Sequence, residues 1–69
     1  METSKVKWFD SRKGYGFLEG TENSKFADIF IHYSETETGD VREGDQVSFK
    51  LLESKKGMQA TDVKIIKAS

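Results

Sequence analysis

The sequence predicts an all-β protein: a small antiparallel barrel or sandwich of five short strands. Apolar residues recur mostly with period two, which is the spacing at which the side chains of a strand share one face. Clusters of turn-forming residues separate these stretches, namely DSRKG, EGTENSK, ETETGD with REGD, and ESKKG. The chain has 69 residues. That length suits one domain, residues 1–69, and leaves no room for long crossover helices.

Five segments carry the strand pattern in chain order. The first and the last are rich in β-branched or aromatic residues, and the middle three alternate apolar side chains with others. No proline interrupts any of them. The predicted strands are 4–10, 13–18, 29–32, 47–51 and 59–66.

One short stretch indicates helix instead of strand. Ser34 and Glu37 match the S-x-x-E capping box, which places a helix N-terminus at Ser34. Gly39 ends such a helix after about one turn. We therefore expect at most a one-turn 3₁₀ helix.

The alternation divides the side chains of the predicted sheet between two faces. The aliphatic residues form a consistent interior, made of Val6, Leu18, Ile29, Ile31, Val47 and Val63. The opposite face of strands two and three then carries Lys13, Tyr15, Phe17, Phe30 and His32. The alternative, in which Tyr15 and Phe17 fill the core, requires the aliphatic residues to face outward.

Charge is distributed unevenly along the chain, whose net charge is -1. Residues 1–18 carry four basic and two acidic side chains, a net of +2. Residues 19–46 carry two basic and eight acidic side chains, a net of -6, and residues 47–69 carry five and two, a net of +3. If the two basic ends meet in the fold, they form a basic face although the net charge of the chain is close to zero. The alternative is that these charges only solvate the surface.

A face that is aromatic and cationic at once favours single-stranded nucleic acid as the partner. An unpaired base stacks on an aromatic ring whatever its identity, and lysines neutralise the phosphates. The chain lacks the residues that several other classes of protein need for metal binding or catalysis. It has no cysteine, a single histidine and no phosphate-binding G-x-x-x-x-G-K-[ST] loop. We therefore expect no enzyme, cofactor, metal site or small-molecule substrate. Because no apolar run is long enough for a membrane span, we expect a cytoplasmic protein.

Four stretches, KVKWFDSRKGYGFLEG, DIFIHYS, EGDQVSFK and KGMQATDV, together resemble the bacterial cold-shock domain from end to end. KGYGFL is similar to its RNP1 motif and DIFIH to its RNP2 motif. The RNA-recognition motif also has a K-G-Y-G-F-like RNP1, but it needs two helices and a longer chain. The resemblance implies a five-stranded OB-fold barrel. It also implies binding of single-stranded RNA and DNA, often pyrimidine-rich, and work as an RNA chaperone or cold-shock regulator of transcription or translation.

The resemblance also implies roles for particular residues. Aromatic side chains at the motif positions stack on bases, lysines bind phosphates, and the last hairpin adds phosphate and base-edge contacts. The stacking residues are Trp8, Tyr15, Phe17, Phe30, His32 and Tyr33, with Phe9 at their edge. The remaining site residues are Lys7 and Lys13, with Lys5 as a weaker candidate, then Lys56 and Gln59, and Asp10 beside the bases.

The chain departs from the family pattern at several places. Asp10 stands where the family usually has asparagine, and Met58 replaces a usual proline. The loop EGTENSKFAD is longer than is usual, and Phe26 within it is either an added stacking residue or a local plug. The segment after Tyr33 is shorter and lacks a common aromatic. Plain alternation also puts Trp8 on the side of Val6, so we predict a bulge near Lys7 and an exposed Trp8.

Two further questions stay open at this level. The aromatic face is also compatible with a protein-interaction module that docks on a partner protein. A monomer is expected, while exchange of strands between two chains remains an alternative for a small barrel with resized loops.

Overall fold

The computed structural model describes residues 1–37 and 39–69. Five strands close into a barrel in the order β1-β2-β3-β5-β4. This confirms the predicted all-β class and five strands, with ends that differ by a few residues. The strands are β1 Glu2–Asp10, β2 Tyr15–Leu18, β3 Ile29–His32, β4 Gln46–Ser54 and β5 Gly57–Lys67.

The prediction of a purely antiparallel sheet is wrong, because the sheet is mixed. Strands β3 and β5 pair in parallel, with Phe30 opposite Gln59, while the other four neighbouring pairs are antiparallel. A closed ring with an odd number of strands cannot alternate direction all the way round. One parallel pair is therefore unavoidable in a five-stranded barrel.

Two 3₁₀ turns occur in the described residues, where at most one was expected. The expected turn spans Tyr33–Glu35, and its N-cap is His32 and not Ser34: the backbone N–H of Ser34 donates to His32 Nδ1 at 3.2 Å. The second turn, Glu22–Ser24, lies in the β2–β3 loop. Neither turn in this part of the chain is long or apolar enough to cross a lipid bilayer.

The barrel interior contains all six aliphatic residues assigned to it by alternation. Three further side chains are buried with them. Phe49 continues the inward positions of β4 two residues after Val47 and is 0% exposed. Ala60 lies on β5, and Val41 lies outside the strands. The core is Val6, Leu18, Ile29, Ile31, Val41, Val47, Phe49, Ala60 and Val63.

Strand β1 has the predicted irregularity at Lys7. Val6 is opposite Leu18, whereas Trp8 is opposite Phe17, so the pairing shifts between Val6 and Trp8. Lys7 is the extra residue of a bulge. As a result Val6 points into the core while Trp8, two residues later, is 40% exposed. Both the bulge and the exposed Trp8 are confirmed.

A buried carboxylate, Asp45, precedes β4. Its Oδ1 accepts from the backbone N–H of Ser69 at 2.9 Å, and its Oδ2 accepts from that of Arg42 at 2.9 Å. These two donors hold the pKa of Asp45 below its usual value of 3.8, although burial opposes them. The charged side chain thus fixes the turn that leads from the loop into β4.

We expect Asp45→Ala to lower the free energy of unfolding by about 1–3 kcal/mol at neutral pH, because it leaves two backbone donors unpaired. Since the folded-state pKa is depressed, this stabilisation is present above the unfolded-state pKa and is lost as pH falls through the folded-state value. Urea unfolding of both proteins should therefore show a difference that is largest above pH 3.8 and shrinks in acid. Glu43→Ala, an exposed acid in the same loop, is the control. An equal loss from Glu43→Ala would contradict this role.

Candidate nucleic-acid interface

One row of outward side chains crosses all five strands. Strand register places Trp8 opposite Phe17 and Phe17 opposite Phe30, and then Phe30 beside Gln59 and Gln59 opposite Leu52. Paired residues of neighbouring strands project to the same side of a sheet. The ring centroids of Trp8 and Phe17 are 5.5 Å apart and those of Phe17 and Phe30 are 5.7 Å apart. The rings therefore form one continuous surface.

A second row joins the first through Tyr15. Tyr15 lies between Asp10 of β1 and His32 of β3 in the pairing. Its ring centroid is 6.0 Å from that of Trp8 and 5.9 Å from that of Phe30. We call the resulting surface the aromatic face. Its members are Trp8, Tyr15, Phe17, Phe30, His32 and Tyr33.

Two members of the aromatic face are positioned by the turn that follows β3. The His32 and Tyr33 rings are 4.6 Å apart and tilted by 35°. Because the backbone N–H of Ser34 donates to Nδ1 of His32, the neutral imidazole carries its proton on Nε2. The backbone N–H of Tyr33 donates to the Gly14 carbonyl at 2.8 Å. Tyr33 is 53% exposed and so offers its ring to solvent.

Two glycines let the backbone and rings pack this closely. Gly14 has φ +77°, and a Cβ there would lie 2.5 Å from Tyr33 Cδ1. A Cβ on Gly16 would overlap the carbonyl oxygen of Trp8. Any side chain at Gly16 would therefore push β1 and its indole away from β2.

The four predicted phosphate-binding lysines lie in four different surroundings. Lys7 forms an ion pair with Asp28 at 3.0 Å, and both side chains are about half exposed. Lys13 is exposed in the β1–β2 turn. Lys56, in the β4–β5 turn, lines a groove with Phe17 and Phe30. Lys5 lines a separate groove with Glu19, so it stands apart from the aromatic face.

The groove beside the aromatic face occupies about 340 Å³ and lies between the β2–β3 loop and the β4–β5 turn. It brings together side chains from both halves of the sequence. Phe17 comes from the N-terminal part and Lys56 from the C-terminal part, and among the described residues that line the groove Lys56 is the basic one. The lining residues are Phe17, Asp28, Phe30, Lys56, Gly57, Met58 and Gln59.

Asp28 is a site residue that the sequence reasoning missed. It is the first letter of the DIFIH motif, yet nothing in the local pattern shows that it reaches Lys7, 21 residues earlier. Met58 was noted only as a replacement for proline. In the fold it is a partly buried side chain that lines the groove and packs against the core.

Asp10 holds the β1–β2 turn together. Its Oδ1 accepts from the backbone N–H groups of Arg12 at 2.9 Å and Lys13 at 3.2 Å. The amide oxygen of an asparagine can accept the same two bonds. The difference made by aspartate is therefore a negative charge beside Tyr15, and not a different turn.

Two other aromatic residues, Phe9 and Phe26, are not part of the aromatic face. Phe9 is opposite the buried Gly16 and packs against the core, so the structure does not bring it to the edge of the stacking residues. The reason is that alternation resumes after the bulge, with Trp8 and Asp10 outward and Phe9 inward. Phe26 is 74% exposed, which rules out its role as a plug.

Within 1–37 and 39–69, no three His, Cys, Asp or Glu side chains come close enough together to hold a metal ion. What the surface presents is a set of ring faces, a tautomer-fixed imidazole N–H and lysine ammonium groups at its margins.

Comparison with known proteins gives consistent matches. The model of the 'Cold-shock' DNA-binding domain family matches residues 2–66. The cold shock-like protein of Thermotoga maritima is 46% identical over 65 residues, which cover 90% of this chain and 94% of that protein. Cold shock protein CspD of Bacillus subtilis is 40% identical over 67 residues, covering 91% of this chain and 96% of that protein.

A solved structure, drosophila Unr CSD456, shares the fold. It aligns with a TM-score of 0.70 at 23% sequence identity. The alignment covers 94% of this chain and 26% of that longer chain. At this sequence identity, the similarity supports only a shared barrel fold.

Proposed function

This chain belongs to the cold-shock domain family, and from that premise we propose that it binds single-stranded RNA and DNA by stacking unpaired bases on the aromatic face. The observation that carries the proposal is the row of rings from Trp8 through Phe17 to Phe30, with centroids 5.5 and 5.7 Å apart. In a chain this small, aromatic surface left outside the core lowers solubility unless a partner covers it.

The chemistry of the aromatic face matches an unpaired strand better than a duplex. Each base that stacks on a ring contributes about 1–3 kcal/mol whatever its identity, and a base is free to stack only when it is unpaired. Lys13 and Lys56 lie at the margins of the rings, and Lys7 joins them when a phosphate displaces Asp28. We propose pyrimidine-rich strands as the preferred partners, because preferences of this kind arise from stacking strength and backbone flexibility.

The corresponding cellular role is that of an RNA chaperone or regulator of transcription and translation in the cytoplasm. Binding that captures unpaired bases competes with base pairing and needs no nucleotide hydrolysis. The protein acts here as a monomer. Sedimentation at increasing concentration checks this, because exchange of strands between chains would double the mass.

Asp10 tunes this interaction. Its carboxylate lies opposite Tyr15 in the strand pairing, so a bound strand brings phosphate charge close to it. Like charges repel, and the asparagine usual in the family avoids that repulsion. We propose that this chain binds with the family's geometry but with lower affinity than an Asp10→Asn variant.

Salt dependence tests the phosphate contacts. Three contacts, from Lys7, Lys13 and Lys56, predict that log K for oligo-dT falls with log salt at a slope of about -2, at about -0.7 per phosphate for single strands. Lys13→Gln should make the slope shallower by about 0.7. The measurement is quenching of Trp8 fluorescence at several salt concentrations.

The matched control is Lys64→Gln. Lys64 is already paired with Glu37 at 3.6 Å, and it lines a different groove, so its loss should leave the slope unchanged. Binding that ignores salt in all three proteins would refute the phosphate contacts. It would favour the protein-interaction reading of the aromatic face.

A further inference from the structure

We propose that Lys25 and Phe26 form an additional nucleotide site in the β2–β3 loop, in which Phe26 stacks on one more base and Lys25 binds the adjoining phosphate. This inference rests on the proposed function and extends its footprint beyond the aromatic face. It assigns a role to the longer loop of this chain.

Phe26 is exposed in a backbone conformation that costs free energy. Its ring is 74% exposed, and its backbone has φ 62°, directly after Lys25 at φ 58°. A bulky side chain rarely adopts this left-handed region, because its Cβ then comes too close to the neighbouring backbone. With 74% of its surface exposed, Phe26 packs little against the described residues.

The β2–β3 loop holds the backbone of Phe26 in place. Ser24 is 1% exposed. Its Oγ accepts from the backbone N–H of Thr21 and lies 2.9 Å from the Ala27 carbonyl oxygen. The backbone N–H of Phe26 donates to the Thr21 carbonyl at 2.8 Å. Gly20 lies against the Phe26 carbonyl, where a Cβ would overlap it. The ring is therefore presented on a fixed backbone, which lowers the entropy cost of binding.

The β2–β3 loop also brings Phe26 near the groove beside the aromatic face. Strand β2 runs from Tyr15 to Leu18, so the β2–β3 loop leaves the barrel at the Phe17–Phe30 end of the aromatic face. Phe26 is two residues from Asp28, which lines the groove with Phe17 and Phe30. Two residues of chain span at most about 7 Å. Phe26 is thus close enough to receive the next base of a strand that leaves Phe30.

The positive charge of the lysines near Phe26 favours a nucleic acid over an apolar protein partner. Lys7, through its pair with Asp28, and Lys56 lie at this same end of the aromatic face, and Lys25, next to Phe26 in the chain, adds a third ammonium group. No carboxylate of the described residues forms an ion pair with Lys25, and Asp28 is already paired with Lys7. A cation beside a free ring is the combination that single strands bind.

The test measures affinity for oligo-dT as its length grows by one nucleotide at a time. Wild type should show a gain of about 5- to 150-fold at the length that reaches Phe26, the range expected for one base–ring stack. Phe26→Ala should lose that gain and still bind shorter oligonucleotides like wild type. Phe26→Gly removes the ring and also the backbone strain, so it keeps the test valid if the alanine variant folds poorly.

A second measurement observes the stack directly. Phe26→Trp combined with Trp8→Phe leaves one indole in the chain, at position 26. Its fluorescence should be quenched by long oligonucleotides and not by short ones.

Three outcomes are decisive. Ring removal that leaves affinity unchanged at every length overturns the inference. A loss that is equal at all lengths also overturns it, because the ring would then support the barrel and not an extra base. If wild type binds no oligo-dT at all, the proposed function falls and this inference falls with it. Binding of short oligonucleotides by wild type separates the last case from the first two.

Discussion

Phe17→Ala combined with Phe30→Ala is expected to weaken oligo-dT binding by at least about 30-fold, since each base–ring stack is worth about 1 kcal/mol or more. The two rings are adjacent in the central row of the aromatic face, with centroids 5.7 Å apart. Both project outward from strands whose alternate residues form the core. Their removal should therefore eliminate stacking on these two rings without opening the barrel. Because the rings touch, the two single losses need not add up to the double loss.

The control for this experiment is Ile66→Ala. Ile66 is also exposed and apolar, but it lines the separate groove that contains Lys5. Its removal should change affinity by less than a factor of about two, since surface substitutions of this kind alter little. Far-ultraviolet circular dichroism confirms that each variant retains its strands. An affinity of the folded double variant within a few-fold of wild type would refute stacking as the mode of binding.

Phe49→Ala is expected to have the largest effect on stability, a loss of about 3–5 kcal/mol. Phe49 is fully buried and is the largest side chain of the core. A domain of this length has a total stability of only about 3–10 kcal/mol. The variant should therefore be partly or wholly unfolded at body temperature. Urea unfolding followed by circular dichroism measures the change, and Phe49→Leu, which refills most of the volume, should recover much of it.

Phe26→Ala provides a matched comparison, because it removes the same atoms from an exposed position. Its effect on the free energy of unfolding should stay within about 0.5 kcal/mol. Similar losses from Phe49→Ala and Phe26→Ala would mean that Phe49 does not form the centre of the core. The pair thus separates an aromatic that builds the barrel from one that does not.

Much of the barrel and of the aromatic face could be predicted from local pattern. Period-two alternation placed Leu18, Ile29 and Ile31 inside and Phe17 and Phe30 outside, because neighbouring residues of a strand must face opposite ways. The bulge at Lys7 could be anticipated from a conflict, since alternation and the family motif assigned Trp8 to opposite sides. A local rule and a motif together were enough in these cases.

The errors arose where the answer depends on closure or on distant pairing. Parallel pairing of β3 with β5 follows from the number of strands in a ring, which no single segment reveals. Phe9 adjoins the motif residues in sequence, but the bulge returns it to the inner side. The Lys7–Asp28 pair and the burial of Val41 depend on which loop lies over which strand. That is set by the register of the whole barrel and not by the residues nearby.

The order of strands around the barrel has a consequence for the protein during its synthesis. All rings of the aromatic face lie within the first 33 residues of the chain. In the closed barrel, however, β1 pairs with β4 and β3 pairs with β5. A nascent chain that does not yet include β4 and β5 exposes two unpaired strand edges next to the aromatic face. Folding must wait for contacts between distant parts of the chain. The residues of the aromatic face are therefore synthesised early, but the face is complete only when β5 has left the ribosome and paired with β3.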